Sequence, residues 1–302
     1  MSMHLFANIV TPFGTASNNR GETDGNTTTL QKLIWKSNVH TTVSAESIRF
    51  ALRRLFVDEG YPTNRKWSDE LHVNTWEDPE FKSWQTFIDD DLLGYMRADA
   101  AKDEAKAGSA TIRRAPLEIT RAVSLTPWHG DVSFNAASPG ATPSAAKNKK
   151  DPTSNKQNPV PYGAEMHATR YQYGIALTPE KLADAKRAEI ALKSLGALRS
   201  VAGNHGRFLY DFAPEAIVIR FTDDPAPRIL YCFETKDDGA TLSANALIQR
   251  LDAGDVTPNE LFVGVSDKTH PFVQELEARG VGVVGVRQAI ENCCSKIAAS
   301  AK

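Results

Sequence analysis

Residues 4–13 read HLFANIVTPF, with Leu5, Ala7 and Ile9 on one alternating set and Phe6, Asn8 and Val10 on the other. Both sets are largely apolar. A strand of that kind belongs in the middle of a sheet, because an edge or one-sided strand would alternate apolar with polar. Pro12 and Gly14 end it, and a polar Gly/Asn/Thr loop runs on to Thr29. Ser44 then opens a helix: it is a good N-cap, Glu46 suits the positive end of the dipole, and Ile48, Ala51, Leu52, Leu55 and Phe56 form one apolar stripe. Gly60, Tyr61 and Pro62 stop it.

The rest of the chain separates by composition. Residues 63–112 are acidic and rich in tryptophan (Trp67, Trp76, Trp84), and they predict a mostly helical insertion with its own small apolar cluster. Residues 116–127 read as a second strand. Residues 129–164 mix prolines with Ala, Ser, Asn and four lysines, Lys147, Lys149, Lys150 and Lys156, which predicts a flexible basic loop. Strand character returns over 165–177, and Thr178-Pro179-Glu180 opens a second long helix. Strands are expected at 216–221 and 229–234, joined as a hairpin across 223–227. The tail predicts strand 260–265, helix 271–279, strand 281–286 and a helix to about 298.

Without its insertions, the order is strand, helix, strand, strand, helix, strand. That is the split βαβ order of ferredoxin-like α+β domains, which many RNA-binding domains share. The expected organisation is a modified RRM-like palm from 1–62, 113–128 and 165–302, a finger insertion at 63–112 and a thumb at 129–164. The aromatic signature of a standard RRM is missing, so the fold order alone supplies no binding mode.

Charge is segregated along the chain. The formal net charge is −2, yet Lys32, Lys36, Arg49, Arg53 and Arg54 cluster between 31 and 54 against one acid, Glu46. Acids dominate from 58 to 104, including the run Asp89-Asp90-Asp91. Cys232, Cys293 and Cys294 form no C-x-x-C pair, which fits a reduced cytoplasmic protein without a disulfide framework. No apolar run approaches the roughly 18–20 residues of a membrane helix.

In residues 18–54 nearly every polar group is a phosphate-type donor: amide, hydroxyl, Lys or Arg. Asn18, Asn19 and Arg20 sit in a loop whose Gly21 and Gly25 would let backbone amides approach an anion. The alternative is an ordinary hydrophilic turn. Glu22 and Asp24 in that loop are either solvated acids or metal ligands, and no metal is expected. Lys36, Ser37, His40, Thr41, Thr42, Ser44 and Ser47 lead to the N-terminus of a helix, where unpaired amides attract anions. Arg49 and Arg53, four apart, extend that face; the alternative is a capped amphipathic helix with solvated arginines. Gly203, Asn204, His205, Gly206 and Arg207 are either a weak phosphate cradle or a helix C-cap. Tyr162, Met166 and His167 at the thumb's end either stack on bases or pack in the core. Arg113 and Arg114 add phosphate contacts or are solvated. No catalytic triad, G-x-S-x-G or H-E-x-x-H pattern is visible.

The Asn-Asn-Arg loop, the Lys-Ser-x-x-His-Thr-Thr-x-Ser-Ala-Glu-Ser-Ile-Arg turn, the glycine-rich loop and the Pro/Lys-rich segment together resemble one family. It is the repeated backbone subunit of type I CRISPR Cascade complexes, of the RAMP superfamily, in its DevR-like, type I-B-like branch. The resemblance implies a non-catalytic, cofactor-free protein whose copies stack head-to-tail into a filament along the guide RNA. It further implies displacement of bases by the thumb, presentation of the guide to target DNA, and contact with other Cascade subunits. It places Asn19, Arg20, Lys36, Ser44, Ser47, Arg49 and Arg53 on the guide backbone, with the glycine loop 203–207 against the RNA. The acidic fingers are expected to meet basic surfaces of neighbouring copies. Two alternatives stand beside it: a target-RNA-cleaving subunit using Asp24, and a DNA-binding autoregulator.

Overall fold

The computed structural model describes residues 2–17, 23–70, 73–97, 111–137, 160–199, 201–202, 209–236 and 239–300. Its centre is a nine-stranded sheet. The strands are β1 (His4–Val10), β2 (Lys32–Trp35), β3 (Asn38–Val43), β4 (Ala122–Ser124), β5 (Tyr171–Leu177), β6 (Ala216–Thr222), β7 (Leu261–Val265) and β8 (Val283–Val284). In space they run β8-β7-β6-β1-β5-β4-β3-β2, and the short strand Glu118–Ile119 pairs beside β5. Every neighbour along this path is antiparallel except β7 and β8. The chain is a mixed α+β protein, and β1 is central as its two apolar faces require.

Those two faces enter two different cores. Leu5, Ala7 and Ile9 pack with α1 (Ala45–Asp58), α3 (Arg187–Gly196) and α6 (Val286–Ser300). Phe6 and Val10 pack with α4 (Asn245–Asp252) and α5 (Pro271–Glu277). Small residues permit the close approach of α6. A Cβ on Gly264 in β7 would lie 2.6 Å from Val286 Cα, and one on Gly196 in α3 would lie 2.5 Å from Ile290 Cδ1. Among the described residues no helix is long and apolar enough to cross a membrane.

Several expectations are corrected. The described part of 63–112 is not mainly helical. It holds two small hairpins, Arg65–Ser68 with Val73–Trp76 and Tyr95–Arg97 with Thr111–Arg113, and one short helix, α2 (Ile88–Leu93). The acidic run on α2, expected to face basic surfaces of neighbouring copies, is instead buried within the chain: Asp89, Asp90 and Asp91 all lie inside. Residues 129–164 are not one loose loop either. Val132–Ala137 and Val160–Glu165 form an antiparallel ladder, and the second strand also pairs in parallel with Thr27–Thr28.

The 229–234 segment is no partner of β6, which pairs with β7 instead. Arg220 explains this. Its buried guanidinium donates to Glu260 Oε2 at 2.6 Å, to the Ala226 carbonyl at 2.7 Å and to Asp224 Oδ2 at 3.1 Å, which ties 223–227 into a compact loop. Ile229 and Phe233 still bury themselves, as a plug over the sheet rather than as a ladder. Only Glu234–Lys236 forms a strand there, paired with Thr241–Ser243.

Candidate nucleic-acid interface

The stretch leading into α1 is a hairpin. β-branched Val39, Thr41, Thr42 and Val43 favour a strand, and Lys36 and Ser37 make the two-residue turn with φ of 48° and 68°. Both turn residues are left-handed, the geometry that matches strand twist and that usually selects Asn-Gly. Lys36 thereby projects from the tip. Its Nζ lies 2.5 Å from Glu234 Oε1, but both side chains are exposed, and such a pair contributes little in water. Lys36 is therefore free to exchange Glu234 for a phosphate.

The start of α1 is capped from within. The Ser44 hydroxyl accepts from the Ser47 amide at 3.2 Å. The Glu46 carboxylate is held below its ordinary range first by its own backbone amide, which it accepts from. An internal acid thus occupies part of the seat expected for an external anion. The cations around it remain. Arg49 and Arg121 both act electrostatically on Glu46, so the three share one surface. Arg121 Nη1 donates to Thr42 Oγ1 at 3.2 Å and Gln31 Oε1 at 3.4 Å, both neutral, so its charge is uncompensated by these bonds. Arg121 was not among the sequence candidates. It is a lone arginine between two short strands, and only the pairing of Ala122 with Val43 brings it to the helix start.

Other candidates turn inward. Arg53 is 18% exposed, with Nε 3.7 Å from Asp89 Oδ2. Burial, reinforced by repulsion from Arg65, brings its pKa down to about 10, still charged at neutral pH. It is a strut between α1 and the finger region. His40 is buried, and its Nδ1–H donates to the Ser124 carbonyl at 2.7 Å. Burial pushes its pKa below the ordinary value, so it is no phosphate donor. Thr42 and Ser44 are buried, engaged by Arg121 and by the helix cap. Arg113 lies over the Trp84 ring at 3.7 Å and reaches Asp91 at 2.6 Å, while Arg114 pairs with Glu118. Asp24 is exposed on a two-residue strand opposite Thr27. Asn18, Asn19, Arg20, Glu22, Gly203, Asn204, His205, Gly206 and Arg207 lie outside the described residues.

The thumb candidates divide as well. His167 is buried and shares hydrogen bonds with Thr41 Oγ1 at 2.7 Å and Thr126 Oγ1 at 3.3 Å; Thr41 Oγ1 also meets Tyr171 OH at 2.7 Å. Desolvation brings the His167 pKa down to about 4, so the ring is neutral and locked in place, not a wedge. Met166 is half-buried, with its carbonyl accepting from Trp128 Nε1. Tyr162 stands opposite Asn135 in the ladder of Val132–Ala137 with Val160–Glu165 and is half-buried. Phe134 on the neighbouring strand is 80% exposed. A polar cleft of about 370 Å3 opens beside His167, lined in part by Thr126, His129, Asp131, Thr235 and Lys236. Among the described residues no group of three or more His, Cys, Asp or Glu side chains is placed to hold a metal ion.

The family model described as CRISPR-associated negative auto-regulator DevR/Csa2 matches residues 12–188. A protein of Myxococcus xanthus (strain DK1622), named CRISPR-associated protein Cas7/Cst2/DevR, is 57% identical over 270 residues, covering 87% of each chain. Among solved structures, one chain titled CRISPR RNA-guided surveillance complex, pre-nicking, superimposes with a TM-score of 0.62 at 13% identity, covering 97% of this chain and 100% of its own. A second, titled CRISPR RNA-guided surveillance complex, gives 0.55 at 17% identity, covering 98% and 99%. These last two similarities concern the fold.

Proposed function

The chain belongs to the CRISPR-associated DevR/Csa2 family, and we propose that it is a non-catalytic guide-RNA-binding backbone subunit of a type I surveillance complex. The observation that carries this reading within the structure is the surface at the start of α1. There Arg49 and Arg121 lie beside Glu46, with Arg121 bonded to neutral Thr42 and Gln31, and Lys36, paired with exposed Glu234, stands at the tip of the hairpin that leads into the helix. Such a surface holds phosphates without reading bases, as a protein does when guide–target pairing carries the sequence information.

The central strand order β6-β1-β5-β4 supports a ferredoxin-like palm, since it follows the 4-1-3-2 arrangement of the split βαβ unit. In an ordinary RRM, RNA stacks on an open sheet face. Here helices cover both faces, so the proposed RNA path runs along the strand ends and the β2–β3 edge. In this reading 63–112 are the fingers and 129–164 the thumb. Copies stack head-to-tail along the guide in the cytoplasm, with other subunits and the target DNA strand as further partners. Asp24, exposed and away from any acidic cluster among the described residues, is not assigned a cleavage role.

The test is RNA affinity against salt for the full chain and for Arg49→Ala combined with Arg121→Ala. Two lost phosphate contacts should weaken binding evenly across RNA sequences and flatten the log–log salt slope by about 1.4. An unchanged affinity and slope would refute the assignment of this surface.

A further inference from the structure

Two segments with left-handed backbone meet at one exposed ion pair. Lys36 stands in the β2–β3 turn at φ 48°, followed by Ser37 at 68°, and Glu234 follows Tyr231, which is held at φ 54°. None of the three is glycine or asparagine, so each conformation carries strain. Packing holds the second segment in place. The Tyr231 ring lies 5.2 Å from that of Trp35, its amide donates to Asn8 Oδ1 at 2.8 Å and its hydroxyl donates to the Arg121 carbonyl at 2.7 Å. Phe233 is fully buried, and its carbonyl accepts from Gln172 Nε2 at 3.0 Å. Glu234 is thereby set beside the hairpin tip, with Oε1 2.5 Å from Lys36 Nζ.

Stability does not account for this placement. The Lys36 and Glu234 side chains are 67% and 47% exposed, so water competes for both and the pair returns little free energy. Its effect falls on a ligand instead. A phosphate that reaches Lys36 must displace the carboxylate or lie beside it, and either weakens binding. The arrangement recurs at the helix start, where Glu46 lies beside Arg49 and Arg121. The three cations of this surface thus share two acids of the chain itself.

We infer that Glu234 is a built-in competitor for the phosphate at Lys36, and that it holds down the affinity of a single copy for RNA at large. The inference rests on the RNA-binding reading above and adds to it a residue that opposes binding. Selectivity is a difference of affinities, and a repulsive group placed at the contact creates it. A strand seated on several cations at once displaces the acids, whereas a polyanion that touches Lys36 alone meets the carboxylate first.

The experiment measures binding of the full chain to a short single-stranded RNA across a salt series, for wild type, Glu234→Gln, Lys36→Met and the double variant. Glu277→Gln, at an exposed position on α5, reports the gain from net charge alone. Glu234→Gln should bind about 1.5- to 5-fold more tightly, a larger gain than Glu277→Gln gives, and steepen the log–log salt slope by up to about 0.7. On the Lys36→Met background the gain should shrink to that of Glu277→Gln. If wild type binds while Glu234→Gln gains no more than Glu277→Gln, or gains as much without Lys36, the competitor role is refuted and the phosphate surface stands. If neither wild type nor Glu234→Gln binds RNA, both are overturned.

Discussion

Asp91 is the residue whose loss should reveal how the finger region is held to the rest of the chain. Its side chain is fully buried. It accepts from Arg113 Nη2 at 2.6 Å, from Arg187 Nη1 at 2.7 Å, and from the Ala183 amide at 3.0–3.1 Å. One carboxylate thus joins α2, the strand Thr111–Arg113 and the start of α3. Asp91→Asn keeps the volume but turns an acceptor into a donor facing arginines and leaves two largely buried cations without a counter-charge. Removing one partner of a buried pair typically costs about 3–5 kcal/mol. With an unfolding entropy of about 2.1 cal/mol/K per residue over 302 residues, that corresponds to a fall in Tm of about 5–8 °C. Thermal and urea unfolding of the isolated chain measure it. Arg113→Met should add less on the Asp91→Asn background than alone, since the two share one network. A loss below about 1 kcal/mol, with an altered assembly size instead, would mean that the acidic run serves contacts between copies.

Other outcomes follow from the same interior. His167, with a pKa of about 4 against 6.5 when unfolded, leaves the unfolded state holding more protons between those values, so its contribution to stability grows as pH rises through that window. Asp90, brought up to about 7 mainly by burial, acts with the opposite sign and costs stability as pH rises from 3.8. The two slopes oppose each other below pH 6.5. Asp90→Asn should therefore stabilise the chain at pH 8, by at most about 4 kcal/mol, and uncover a positive slope from pH 4 to 6.5; urea melts that stay parallel to wild type would dismiss this. Gly94 sits at φ 66°, and a Cβ there would lie 2.3 Å from the Arg113 carbonyl. Gly94→Ala should destabilise the chain by about 3 kcal/mol or more, read as soluble yield and Tm, and a neutral effect would contradict the backbone geometry.

Much of the frame is legible in local sequence. The two apolar faces of 4–13 place β1, and Ser44 with the stripe from Ile48 to Phe56 places α1, because caps and periodicity are short-range signals. The misreadings share a cause. Asp89-Asp90-Asp91 reads as a surface for neighbouring copies until Arg187, 96 residues away, closes on Asp91. The hairpin tip at Lys36-Ser37 lacks the Asn-Gly that announces such turns, so 36–43 reads as a loop. His40 and Thr42 look like donors but are buried by contacts with Ser124 and Arg121, from strands paired only in three dimensions. Val132–Ala137 lies in a stretch whose composition suggests a flexible loop, and only its ladder with Val160–Glu165 makes it a strand.

The central place of β1 also has a consequence in time. Its neighbours are Tyr171–Leu177 on one side and Ala216–Thr222 on the other. At a synthesis rate of about 5–20 residues per second, the first partner emerges about 10–30 s after β1 itself. Throughout that interval one of the most apolar segments of the chain has no strand to pair with. Such distant pairings are slow to form and leave strand edges open to other chains. The nascent protein thus depends on being shielded early, and crowding several growing copies on one message raises the hazard that β1 finds a neighbour's strand before its own.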